Sequence, residues 1–328
     1  MKVLVTGATG FIGFHVAKLL VEKGFQVSAL VREGSDTSAL KTMGIELVRG
    51  DVRDYSSICK ALKGCRQLYH LAADYRIWVN DPKTMYEINV QGTKNVMQAA
   101  LTTGIEKIVY TSTVGVLATC SNGKPSNEET PVSIRDMVGD YKKSKFIAEK
   151  EVFDFIKKGA QVVIVNPTTP VGPMDKKPTP TGKIIVDFLN GKIPAYLDTG
   201  MNFVDVEDVA SGHLLAAQHG RVGQRYILGN KNISLNKFFE NLASITGKKP
   251  PKVRLPYLPV LLAAYVNEAL SRITNRYPVI PLTGVKMARK YMYFDCSKAV
   301  KELNMPQNPV ENAIEKAIDW FRGHGYVK

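Results

Sequence analysis

Residues 3–13 read Val3-Leu4-Val5-Thr6-Gly7-Ala8-Thr9-Gly10-Phe11-Ile12-Gly13: a strand-like run, then glycines at intervals of three, then an amphipathic segment. No other feature of the chain restricts its fold so tightly. Gly7 permits a tight turn, Gly10 lets backbone approach a pyrophosphate, and Gly13 lets the helix pack closely on the strand. The helix N-terminus then faces the anion. A glycine triplet alone is weak evidence, and a purely structural turn is the alternative. In this strand–turn–helix context the expectation is a dinucleotide site holding Gly7, Thr9, Gly10, Phe11, Ile12 and Gly13.

The rest of the first half supports that frame. Strand-like runs at Val3–Thr6, Gln26–Val31, Glu46–Arg49, Gln67–Leu71, Lys107–Thr111 and Gln161–Val165 alternate with helical patterns at Phe11–Lys23, Ser56–Leu62, Pro82–Thr103 and Asp140–Lys157. This alternation argues an α/β fold, a Rossmann-type doubly wound parallel sheet. After Pro167 prolines cluster, and the segment reads as loop around one helix near Gly182–Leu189. Strand-like pieces at Asn202–Val206 and Gln224–Leu228 flank a helix from Asp208 to Gln218, and a helix over Leu235–Thr246 comes after a cap at Ser234. Residues 1–167 are therefore expected to form the nucleotide domain, with returns near 201–230. Residues 168–200 and 231–328 form a smaller, mostly helical substrate-binding lobe.

The end of the second strand bears on the nucleotide. Folds that take NAD usually place an acid about 20 residues after the glycines, on the ribose 2′-hydroxyl. Here Val31 stands there, with Arg32 next, which suits a 2′-phosphate; a solvated surface arginine is the plainer alternative. NADP(H) is favoured and NAD(H) stays open. Asp51 and Val52 are placed to meet the adenine edge, and Leu71-Ala72-Ala73 are small enough for a ribose to lie on their backbone.

Composition excludes several classes. Hydrophobic residues at 45% and charged residues at 23% rule out disorder and fibres. The longest apolar run, Pro259 to Val266, is far short of the roughly 20 residues that span a bilayer. Met1-Lys2 leads directly into the first strand without an apolar leader, so a cytoplasmic location is expected. Cys59, Cys65, Cys120 and Cys296 show no metal-ligand or CxxC spacing, so buried reduced thiols and no metal are expected. The net charge is +14, and between Lys248 and Glu302 eleven basic residues face three acidic ones. Such a surface favours anionic partners, but no recognition-helix or aromatic RNA-binding pattern accompanies it, so no nucleic acid is expected.

Tyr141-Lys142-Lys143-Ser144-Lys145 puts a tyrosine and a lysine four apart on one helix face. Such a pair turns up by chance in a chain with 14 tyrosines. Its weight comes from its place, about 30 residues after a strand ending Thr111-Ser112-Thr113. Together with Thr6 to Gly13, Asp51, His70-Leu71-Ala72-Ala73, Asn89-Val90-Gln91-Gly92-Thr93 and Asn166-Pro167-Thr168, it makes the whole chain resemble the extended short-chain dehydrogenase/reductase superfamily. Within it the chain resembles the dihydroflavonol-reductase-like branch. It is more closely similar to the bacterial hopanoid-associated sugar epimerase group, through Ala73 to Trp78, Tyr141 to Phe146, Val165 to Pro170, Lys177 to Gly182 and Ala195 to Gly200.

The resemblance implies that Tyr141 is the general acid/base, its phenolate favoured by Lys145 and the nicotinamide cation. It implies that Lys145 also bonds the nicotinamide ribose and that Thr113 holds the substrate oxygen where relatives usually have serine. Ser112, one residue earlier, is the other hydroxyl that could do so. Thr111, Pro167 and Thr168 would sit with the cofactor, the last two beside the nicotinamide. Asn89 would face the lysine and steady a water, or be a polar helix residue without a role. The acids of Asp205-Val206-Glu207-Asp208 read as a helix N-terminus.

Tyr75, Arg76, Trp78, Thr179 and Tyr196 fall in segments expected to border the cleft. They suit stacking on a sugar, and lobe packing accounts for them equally well. The leucines of Leu255 to Leu270, in a basic neighbourhood, read as a packed lobe helix or as a peripheral membrane contact. The two long helices are those through which relatives dimerise, so a homodimer is expected. A non-catalytic nucleotide sensor on the same fold is the alternative class, and the intact Thr113–Tyr141–Lys145 set argues against it. Among enzymes, Val31-Arg32 points to an NADP(H)-linked reductase acting on a polyhydroxylated, sugar-like or lipid-linked substrate. An NAD-retaining sugar epimerase is the runner-up.

Overall fold

The computed structural model describes residues 1–119 and 124–327; Cys120 lies outside them. The chain opens with β1 (Lys2–Thr6), α1 (Phe11–Glu22), β2 (Gln26–Val31), α2 (Ser38–Thr42), β3 (Glu46–Arg49), α3 (Tyr55–Leu62) and β4 (Gln67–His70). Next come α4 (Lys83–Tyr86), a π-helical turn (Glu87–Gln91), α5 (Gly92–Thr102), β5 (Lys107–Thr111), α6 (Gly139–Lys157), β6 (Val162–Pro167) and β7 (Thr169–Val171). The remainder comprises α7 (Pro180–Leu189), β8 (Ala195–Leu197), β9 (Gly200–Asp205), α8 (Val206–His219), β10 (Arg225–Leu228), β11 (Lys231–Ser234) and α9 (Leu235–Thr246). It ends with β12 (Val253–Leu255), α10 (Tyr257–Thr274), α11 (Leu282–Met287), α12 (Ser297–Leu303) and α13 (Val310–Gly323).

Seven parallel strands lie in the order β10-β6-β5-β4-β1-β2-β3. The chain runs outward from β1 through β2 and β3, then returns to place β4 on the other side of β1. Strand order therefore reverses between β1 and β4, and the crevice at their carboxyl ends is where open α/β sheets bind ligands. Alternation along each strand sends Val3, Val5, Val163 and Val165 to one face, with α1 and α8. Leu4, Leu68, Tyr110, Val162 and Ile164 go to the other, with α3, α5 and α6. Both faces are covered, as a parallel sheet requires.

Two expectations about the elements need correction. The sequence pattern returns both β9 and β10 to the main sheet. β9 pairs instead with β7 and β11, and β10 alone takes the free edge of β6. The Pro82–Thr103 helix is interrupted by the π turn, which rotates Asn89 inward to a fully buried position. The second core, around Phe188, Phe203, Phe238, Phe239, Ile314 and Phe321, draws on β9, α7, α9 and α13. Ser234 caps α9 as expected, accepting from the Lys237 amide at 3.2 Å. Among the described residues no helix is long and apolar enough to cross a membrane.

β10 is fastened to α6 by charge. Arg225 Nε donates to Glu149 at 2.7 Å, and the Glu149 side chain is only 3% exposed. Arg225→Met keeps the bulk but leaves a buried carboxylate without its cation, so it should cost about 3 kcal/mol. Urea unfolding of the two proteins reads the difference, and a loss near zero would show that the pair does not fasten this edge.

Candidate active site

The turn after β1 brings backbone against backbone. Gly7 has φ +76°, and a Cβ there would lie 2.7 Å from the Ala72 amide nitrogen. A Cβ on Gly13 would lie 2.0 Å from the Gly7 carbonyl oxygen. Only glycine fits either place. Gly10, Phe11 and Ile12 open α1, whose N-terminus has no side-chain cap and no acid in its first turn. Thr9 is exposed on the turn. These bare amides at a helix N-terminus fit a pyrophosphate.

A line of hydroxyls and one histidine crosses the switch point. The Ala72 amide donates to Thr6 Oγ1 at 3.2 Å, and Thr6 Oγ1 lies 2.7 Å from His70 Nδ1. His70 Nε2 lies 3.3 Å from Thr93 Oγ1, which donates to the Asn89 carbonyl at 2.6 Å. Burial holds His70 down to about 3, so the ring is neutral. The donor directions then place its proton on Nε2. The Asn89 side chain accepts from the Asp74 amide at 2.7 Å and donates to the Asp74 carbonyl and to Ser144 Oγ, each at 2.9 Å. Asn89 thus clamps the loop after β4 onto α6. Its sequence context points to the residue but not to this role.

Tyr141, Ser144 and Lys145 lie in the first two turns of α6. The Tyr141 hydroxyl is hydrogen-bonded to Thr113, whose Oγ1 also accepts from the Gly115 amide at 3.0 Å. Of the two hydroxyls in question, Thr113 is therefore the one beside the phenol. Ser112 Oγ is buried and has no hydrogen-bond partner among the described residues. Such an orphaned donor fits a site completed by a ligand. Lys145 is buried and donates to the Thr111 carbonyl at 2.8 Å and the Tyr110 hydroxyl at 3.0 Å. Burial pushes Tyr141 up to about 12, against the pull of Thr113, and lowers Lys145 to about 8. The Lys145 ammonium is engaged by the Thr111 carbonyl and the Tyr110 hydroxyl, and the hydroxyl bonded to the phenol is that of Thr113.

The remaining expected residues divide. Arg32 is exposed after β2. Asp51 is taken by Arg53, which donates to it from Nε at 3.1 Å and Nη2 at 2.9 Å and holds its carboxyl below the ordinary value. Val52 is buried against Gly92. Leu71, Ala72 and Ala73 run past the glycine turn. The Thr111 hydroxyl is bonded to His213 Nε2 at 2.9 Å, leaving its carbonyl to Lys145. Pro167 ends β6, and the Thr168 amide donates to the Leu228 carbonyl at 3.0 Å.

Of the substrate candidates, Tyr75 is the open one. Its hydroxyl makes no hydrogen bond among the described residues, and the charges of Asp175 and Asp74 raise its pKa together with burial, the larger cause. Arg76 donates to Asp74 at 2.9 Å, and Trp78 Nε1 donates to Glu268 of α10 at 2.9 Å. The Thr179 hydroxyl donates to Asp175 at 2.8 Å and caps α7, accepting from the Gly182 amide at 3.1 Å. Tyr196 packs edge-on against Phe239 in the lobe core. Cys59 is half-buried, Cys65 and Cys296 are buried, and all three are free thiols.

A doubly wound sheet with a glycine turn at its switch point, and with Thr113, Tyr141 and Lys145 gathered beside it, defines a class: the Rossmann-fold enzymes of the extended short-chain dehydrogenase/reductase superfamily. The chain belongs to the NAD-dependent epimerase/dehydratase family, which residues 3–229 match. It is 44% identical to a protein of Synechocystis sp. provisionally named dihydroflavonol 4-reductase, over 99% of this chain and 95% of that one. It is 32% identical to sterol demethylase protein B of Methylococcus capsulatus over the full length of both. The crystal structure of gox2253 superposes with a TM-score of 0.90 at 47% identity, covering 100% of this chain and 99% of that one.

Asp175, beside Tyr75, is not singled out by the sequence. Both its oxygens accept from the Thr179 amide, at 3.0 and 2.8 Å, and burial raises its carboxyl from 3.8 to about 6. Between those values the native protein holds a proton that the unfolded chain has released, so stability falls as pH rises through the window. Asp175→Asn removes this dependence. Its stability relative to the natural protein should increase from pH 4 to pH 7 by up to about 3 kcal/mol, read by urea unfolding at each pH. A pH-independent difference would sink the assignment.

Proposed function

We propose that the protein is an NADP(H)-linked oxidoreductase. It transfers hydride reversibly between the nicotinamide and a ketone or carbinol carbon of a polyhydroxylated small molecule, sugar-like or hopanoid-linked, and works as a cytoplasmic homodimer. Arg32 carries the cofactor preference. Its guanidinium is exposed directly after β2 and has no hydrogen bond or ion pair among the described residues. The nearby acids are occupied, Asp51 by Arg53 and Asp36 by Lys176 at 2.7 Å. An exposed planar cation, near a carboxylate, Asp51, that Arg53 already binds, suits a 2′-phosphate.

Bound, the dinucleotide supplies or accepts the hydride, and its oxidised ring adds a positive charge to the site. Tyr141 moves the proton at the substrate oxygen, and Thr113, already bonded to the phenol, holds the same oxygen. Lys145 would also hold the nicotinamide ribose, next to its bonds to the Thr111 carbonyl and the Tyr110 hydroxyl. Burial holds Tyr141 near 12 in the protein alone, and a nearby positive charge would lower it. Residues 168–200 and 231–328 act as the substrate-binding lobe, and Tyr75 is the side chain free to meet the substrate. The relatives' names concern a dihydroflavonol and a sterol, both polycyclic and oxygenated, which supports a rigid alcohol or ketone substrate.

Sugar epimerisation is the second reading, favoured by the description of the matched family. Titration of nucleotide-stripped protein separates the two. The reductase reading expects NADPH to bind about tenfold or more tighter than NADH, with the preference lost in Arg32→Glu. Tightly retained NAD after purification would favour the epimerase. Tyr141→Phe should lower turnover by about 10²–10⁴ with cofactor affinity unchanged, and near-normal turnover would overturn the assignment of the phenol.

A further inference from the structure

α10 carries an amphipathic pattern with its apolar side turned outward. Leu258, Leu262, Val266, Leu270 and Ile273 share one face and are between 54% and 82% exposed. The inward face offers Ala264 and Ser271, the two residues of α10 that are fully buried. Apolar side chains scattered singly over a surface need no explanation, but a continuous stripe along an 18-residue helix does. Basic residues stand at both ends of the stripe. Lys249 and Lys252 precede the helix, Arg272 and Arg276 close it, and Lys286 of α11 lies 5.1 Å from the centre of the Tyr265 ring. From residue 248 to 290 there is one acid, Glu268. It is turned inward, bonded to Trp78 and, at 3.4 Å, to Arg272 of the same helix.

We propose that α10 is a docking surface for an anionic membrane. The apolar stripe enters the boundary between headgroups and acyl chains, and the flanking lysines and arginines bind lipid phosphates. Charge complementarity selects this occupant, because apolar area framed by cations is what an interfacial helix presents. The helix lies in the plane of the surface, since it is too short and too interrupted by polar residues to span. Docking also has a direction. The Trp78–Glu268 hydrogen bond joins the inner side of α10 to the loop that Asn89 holds against α6. The cleft is thereby fixed relative to the lipid surface, which suits a substrate carried in a membrane. Binding is read without turnover, so it stands or falls separately from the hydride chemistry.

The test is sedimentation of the full-length protein with vesicles of phosphatidylglycerol and phosphatidylcholine mixed one to one, and of phosphatidylcholine alone. The protein should pellet with the mixed vesicles, less so at high salt. The double variant Leu262→Glu/Val266→Glu, at positions already exposed, should weaken pelleting about tenfold or more while unfolding at the same temperature. Failure to pellet, or pelleting indifferent to the variant, would overturn the proposal. So would a fall in mass of the variant by light scattering, which would give the face to a second copy of the chain.

Discussion

The close approach of the β1–α1 turn to the end of β4 is the constraint on which the site depends. Gly7 sits where a side chain would strike Ala72, and Gly13 sits where one would strike Gly7. Because both are glycine, α1 can start against the sheet with its first amides uncovered. The same approach lets the Ala72 amide reach Thr6, which begins the line through His70 and Thr93 to Asn89. From Asn89 the line passes through Ser144 to the Tyr141 carbonyl at 2.9 Å. The nucleotide turn and the Tyr141–Lys145 helix are thus held in register by buried hydrogen bonds across the centre of the sheet. Each buried polar group on that line is satisfied by the next. Removing one member would strand its neighbours, which costs more than the bond itself contributes.

Burial also sets the protonation of the site before any ligand enters. It opposes charge on Tyr141 and on Lys145 alike, holding the phenol protonated and bringing the ammonium close to neutral pH. One oxygen of Glu149, a turn further along α6, is paired with Arg225, and its charge acts in the opposite sense on Lys145. The edge strand β10 therefore reaches the site electrostatically through Arg225 and Glu149, although β6, β5 and β4 separate it from β1 in the sheet. This arrangement makes the pair responsive to added charge. In a low-dielectric pocket a nearby cation shifts an acid much more than it would in water.

The nucleotide half was legible because its signals are local. Short apolar, β-branched runs give β1 to β6 to within a residue or two, and the glycine spacing places the turn. The Tyr141–Lys145 spacing needs only a helix to bring both to one face. The lobe depends on pairings between distant segments. β7, β9 and β11 make one sheet from three short pieces, and each is too brief to announce its partner. The choice between Ser112 and Thr113 could not be read for a related reason. Adjacent residues after a strand face opposite ways, and only the register with α6 shows that Thr113 meets Tyr141. Asn89 was visible as a residue but not as a clamp, since the π turn that aims it leaves no signature in hydrophobic spacing.

α10 shows the opposite relation between pattern and packing. Its leucines read as a helix ready to be buried, yet the lobe core is complete without them. On its inner side the helix buries Ala264 and is oriented by hydrogen bonds of Trp78 to Glu268 and of Asn80 to Asn275 at 3.0 Å, with the Ile280 amide folding the following loop onto Asn267 at 3.0 Å. Hydrogen bonds at a surface contribute little net stability. They do fix orientation, and here they turn the apolar stripe away from the protein. A helix that turns its larger apolar side chains outward inverts the usual logic of a surface helix. That inversion relieves α10 of any part in stabilising the core, and it makes the apolar stripe available to a partner outside the chain.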